Sequence, residues 1–129
     1  MSCHLTSAGW ISEDIAVPLG AIPAVISRLG EIAERHGVSI ATYGHAGDGN
    51  LHVNVLWDTP DGASRGHAAT DEVMLHAIEV GGTITGEHGV GLSKRAWLPT
   101  QLGSPVMELQ RAIKRQWDPA GILNPGKVL

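Results

Sequence analysis

Residues 43–55, YGHAGDGNLHVNV, constrain the fold more than any other part of the chain. Leu51, Val53 and Val55 alternate with His52 and Asn54, which marks a strand with one buried and one accessible face. The strand-like run VSIATYGH at 38–45 precedes it, and Asp48-Gly49 stands between the two. Asp-Gly is a strong signal for a two-residue hairpin loop because both residues tolerate positive φ. With that loop, 47 pairs with 50, 46 with 51 and 45 with 52. His45 and His52 then become opposed neighbours on one face, with Cβ atoms about 4.5–5.5 Å apart. Tyr43 and Asn54 oppose each other on the same face, while Val53, Val55 and Trp57 point the other way into a core.

The remaining elements follow from periodicity. ISEDIAVPL at 11–19 reads as a strand ending at Pro18. Ile22, Val25, Ile26, Leu29, Ile32 and Ala33 recur every three or four residues, predicting a helix over 21–36 that Gly37 stops. The same spacing predicts a helix over 67–80. TITGEHGVG at 83–91 reads as a short strand entering a glycine-rich loop. Ser104-Pro105 is a good helix start, with Val106, Leu109 and Ile113 as its expected buried face. DPAGILNPGKVL at 118–129 is a punctuated tail. The order β-α-β-β-α-β plus a helix predicts an α+β, ferredoxin-like antiparallel sheet with helices on one face.

A chain of 129 residues is one domain by length. A formal charge of −4 without a basic run argues against a nucleic-acid partner. The single cysteine, Cys3, forms no internal disulfide. With no long apolar span and no signal-like start, a cytoplasmic location is expected. Seventeen glycines concentrate at 44–49 and 81–91, beside His45, His52 and His88. Glycine clusters mark sharp turns or close approach to a ligand.

Two opposed imidazoles at hairpin distance suit one metal ion. An exposed polar sheet face would show the same pattern, and spacing alone does not choose between them. Asp48 is better explained as a turn former than as a ligand. In GEHGVG, a bend permitted by Gly86 and Gly89 would let Glu87 and His88 serve one site. Glu87 with the two histidines makes an N₂O set with open coordination positions, leaving His88 as a free base. A turn with two exposed polar residues accounts for that loop equally well.

Three ordered motifs carry a family likeness over about residues 11–129: GHAGDGNLHVNV, GEHGVG followed by Lys94, and DPAGILNPGKV. EDIAVP at 13–18 adds to them. Together they resemble the C-terminal cap domain of FAD-linked oxidases of the vanillyl-alcohol-oxidase type. That group includes glycolate oxidase D subunits, D-lactate dehydrogenases and D-2-hydroxyglutarate dehydrogenases. The resemblance implies a divalent metal, Zn or Mn, on His45, His52 and Glu87. It also implies His88 as active-site base, Asn54 against substrate and Asn124 against the flavin. Lys94 is expected as an exposed or supporting charge.

The implied activity is oxidation of a D-2-hydroxy acid to the 2-oxo acid, with FAD bound mainly by a domain that this chain lacks. Residues 1–10 are unassigned, and residues 11–129 form the cap. The chain alone is then expected to hold no FAD and to oxidise nothing. Expected partners are the small hydroxy acid, a flavin-binding domain or subunit and, through an uncovered edge or patch, a second copy. The sequence names neither the acid nor the electron acceptor. The competing reading is a stand-alone binding or oligomerisation module without catalysis. A flavin-free hydrolase using His88 is less well supported, since no nucleophile or oxyanion loop is evident.

Overall fold

The computed structural model describes residues 7–129, so Cys3 lies outside the described part. The elements are β1 (Gly9–Ala16), α1 (Ile22–His36), β2 (Ser39–His45), β3 (Asn50–Trp57), α2 (Ala63–Glu79) and α3 (Leu98–Trp117). The three strands form one antiparallel sheet in the order β1-β3-β2. β1 starts at Gly9, inside the stretch expected to be unassigned.

α1 ends where expected. Gly37 takes the left-handed conformation (φ 60°), and its N–H donates to Glu34 O while Val38 N–H donates to Ala33 O. This double closure satisfies carbonyls the helix would leave free. Val25, Leu29 and Ile32 of α1 and Ala69, Val73, Met74 and Ala77 of α2 are buried. They pack on Ile15, Leu51, Val53 and Val55, which share one sheet face. The α+β architecture with α1 and α2 on one face is therefore as predicted.

The opposite face carries the polar residues in three cross-strand rows. They are Ser12–Asn54–Ala41, Asp14–His52–Tyr43 and Ala16–Asn50–His45. These rows correct the predicted hairpin register. His45 pairs with Asn50 and His52 with Tyr43, so the loop holds four residues, 46–49. Asp48 N–H donates to His45 O, and only Gly49 of the expected pair has positive φ (71°). A four-residue loop built on an ordinary turn replaces the primed two-residue turn.

Two further expectations need correction. The run 83–91 forms no strand, and its ladder stops after one bridge between Ala16 and Thr83. Continued in that register, Thr85 would pair with Asp14. Instead the N–H groups of Gly86, Glu87 and His88 turn onto the Asp14 side chain. Helix α3 is broken at Gly103 (φ 73°, ψ 163°), so its long part does begin at Ser104-Pro105. Its apolar stripe, however, faces outward: Leu109 is 60% and Trp117 81% exposed, and Val106 and Ile113 are exposed too. The helix-covered sheet face is already filled by α1 and α2, leaving mainly Leu98 and Met107 of α3 to bury.

No helix among the described residues is long and apolar enough to cross a membrane.

Candidate metal centre

His52 stands on the central strand, its side chain only 11% exposed. Its row partner Tyr43 lies 5.1 Å away between ring centroids, and His45, diagonal to it across the hairpin, lies 5.7 Å away edge-on. His88 stacks on His52, with centroids 5.1 Å apart and planes 22° apart. Glu87 reaches the same point from the glycine-rich loop. Its Oε1 is 3.1 Å from His52 Nε2 and 3.6 Å from His45 Nε2. One ligand atom from each of His45, His52 and Glu87 lies within 4.8 Å of the others.

Three donors held about 2.0–2.2 Å from an ion at tetrahedral angles stand roughly 3.3–3.6 Å apart. The two Glu87–histidine separations straddle that span and all three donors lie within 4.8 Å, so the donor set can close on a divalent ion. Two imidazoles and one carboxylate suit Zn or Mn and leave coordination positions free. Glu87 and His45 are exposed, which opens the trio to small solutes.

The loop bearing Glu87 and His88 is shaped by a residue that sequence reasoning missed. Asp14 is fully buried, and its Oδ2 accepts N–H bonds from Gly86 (2.7 Å), Glu87 (2.6 Å) and His88 (3.2 Å). Its Oδ1 accepts from Thr85 Oγ1 and pairs with the Lys94 ammonium. His88 Nδ1 stands 3.5 Å from the same oxygen. Burial pushes the Asp14 carboxyl up, but the Lys94 ammonium and the Glu87 and His88 N–H groups outweigh it. The carboxyl is held well below the usual carboxylate range.

Lys94, expected as an exposed charge or a supporting one, is 1% exposed. Its Nζ also donates to Asp14 O (2.8 Å) and lies 3.4 Å from Glu13 Oε2. Asn50 was likewise missed. It is buried in the His45 row against Gly86, and its Oδ1 lacks a hydrogen-bond partner. The one available signal for Asp14 was its pairing with Glu13 in a mostly apolar strand.

Asn54 lies half-buried on the site face, one row along from His52. Asn124 lies on the tail, exposed and with positive φ (46°). The tail is tied to the second loop, where Val128 N–H donates to Gly91 O and Arg95 to Gly126 O.

Comparison with known proteins places this geometry in context. The family model described as FAD linked oxidases, C-terminal domain, matches residues 5–128. Glycolate oxidase subunit GlcD of Bacillus subtilis is 43% identical over 120 residues, covering 92% of this chain and 26% of that protein. A D-lactate dehydrogenase of Archaeoglobus fulgidus is 41% identical over 117 residues, covering 90% and 26%. A probable mitochondrial D-lactate dehydrogenase of Danio rerio is 36% identical over 120 residues, covering 92% and 24%. The chain thus spans about a quarter of the length of these relatives. The 4-ethylphenol oxidase of Gulosibacter chungangensis, solved as an isoeugenol complex, shares the fold. Its TM-score is 0.61 at 24% identity, over 96% of this chain and 25% of that one. Mitochondrial names stand beside bacterial ones, so the likeness does not single out the cytoplasm.

Proposed function

Because the chain belongs to the FAD linked oxidase C-terminal domain family, we propose that it forms the metal- and substrate-binding face of a flavin enzyme oxidising a small D-2-hydroxy acid. The convergence of His45, His52 and Glu87 beside a stacked His88 carries this reading. The three ligands would hold Zn or Mn, and the bound ion would act as a Lewis acid toward the substrate hydroxyl. His88, stacked against a ligand, would take the hydroxyl proton as that oxygen becomes a carbonyl. Asn54 on the same face offers its amide N–H to the substrate carboxylate.

A bound flavin would supply the redox chemistry, as acceptor of the C2 hydrogen with its electron pair. On this reading a flavin-binding domain other than this one would hold most of that cofactor, in keeping with the chain spanning about a quarter of the relatives it matches. Asn124 on the tail offers its carboxamide to the flavin. The exposed stripe of α3 offers an apolar face to the flavin-binding part.

Metal analysis of the purified chain, with calorimetric titration by Zn²⁺ and Mn²⁺, tests the reading. About one ion per chain is expected, lost in the His45→Ala/His52→Ala double variant. Equal metal uptake by wild type and double variant overturns it.

A further inference from the structure

We propose that Asp14 is the positioning residue of this site: its carboxylate is the internal anion around which the loop bearing Glu87 and His88 is folded before any metal binds. This deepens the metal-centre reading and rests on it for its functional meaning. Three successive backbone N–H groups, 86 to 88, converge on one oxygen. Such a run of amides is an anion-binding concavity, of the kind that elsewhere takes a phosphate. Here a side chain from β1 fills it.

The consequence is geometric. Asp14 is the row partner of His52 on the central strand. Whatever binds Asp14 is therefore brought beside His52. The Glu87 carboxylate and the His88 ring arrive there because their own N–H groups are tied to that oxygen. The second Asp14 oxygen faces His88 Nδ1, which orients the ring so that Nε2 is left for the substrate. Thr85 locks the turn from both sides, donating to Asp14 and accepting from Gly89 N–H (2.9 Å).

A narrower role would be neutralisation of the buried Lys94 ammonium alone. The two differ in what an uncharged pair would do. Asp14→Asn by itself strands a buried charge and keeps an acceptor oxygen, so the informative variant is Asp14→Leu/Lys94→Met, which removes both charges and the acceptor oxygens while keeping side chains of similar shape. In metal-free wild type, the amide protons of Gly86, Glu87 and His88 are expected downfield and protected from exchange. In the double variant, with the rest of the spectrum retained, that protection disappears. Zn²⁺ affinity by calorimetry then falls roughly 10–100-fold, the range for lost ligand support.

Wild-type protection and affinity in the double variant would reduce Asp14 to a counter-charge and overturn the proposal. Rapid exchange of these amides in wild type overturns it without any variant. Protected amides in a chain that takes up no Zn²⁺ would uphold the positioning and sink the metal reading instead.

Discussion

A methyl group at Gly86 would overlap the Asn50 carboxamide, which is itself buried and has little room to retreat. Gly86→Ala should therefore lift the loop at Glu87 and weaken Zn²⁺ binding about tenfold or more, read by calorimetry. Gly49 is constrained differently. It has φ of 71°, and an added Cβ would overlap the carbonyl oxygen of Val17, a backbone atom. Gly49→Ala combines left-handed strain with that clash and is expected to destabilise the fold by more than about 1 kcal/mol in urea unfolding. Both positions lie in the glycine clusters that the sequence makes conspicuous. The histidines were legible for a related reason. The expected pairing of 45 with 52 is displaced by two residues from the observed one, and side chains alternate with period two. A two-residue slip leaves every face assignment intact, so His45 and His52 stayed together though not opposed. Asp14 was not legible, because its meaning depends on amides more than 70 positions away.

At the level of elements, local signals worked where the chain decides locally. Gly37 closes α1 and Ser104-Pro105 opens the long part of α3. They failed where a neighbour had prior claim: the 83–91 run gives its amides to Asp14, and the α3 stripe finds the sheet already covered. Gly103 occupies a region (φ 73°, ψ 163°) open essentially only to glycine. Gly103→Ala should cost about 1–3 kcal/mol and lower Tm in a thermal scan. Asp118 ends the same helix. Its carboxylate pairs with Lys114 and accepts N–H bonds from Ile122 and Leu123. The Lys114 ammonium, with those two amides, holds its carboxyl below the ordinary range against the effect of burial. A depressed folded-state pKa means stability that is present above the unfolded value, about 3.9, and lost as pH falls through the folded one. The tail is thus expected to detach from α3 in acid, below about pH 4. The Ile122 and Leu123 amide resonances should shift there, and Asp118→Asn should flatten that response.

Considered whole, the molecule presents an oriented pair of surfaces: a polar sheet face bearing the candidate metal centre, and an apolar ridge along α3. Leu109, Ile113 and Trp117 follow one another at four-residue spacing, and Ile122 and Leu123 extend the exposed apolar surface into the tail. Scattered exposed apolar residues need no explanation, but a contiguous stripe at helical spacing marks an interface. Under the proposed function the occupant would be a flavin-binding domain, since the relatives are about four times as long as this chain. Leu109→Glu/Ile113→Glu changes only exposed positions and should move stability by about 0.5 kcal/mol or less per site. Zn²⁺ binding should stay unchanged. The two charges would nevertheless be buried without partners on docking, which disfavours the complex by several kcal/mol. Mixed with the part of the Bacillus subtilis relative outside the matched residues, wild type should associate in sedimentation velocity and the double variant should not. Equal association of both would place the interface elsewhere. Concentration-dependent dimers of wild type alone, abolished by the same substitutions, would instead assign the ridge to a second copy of this chain.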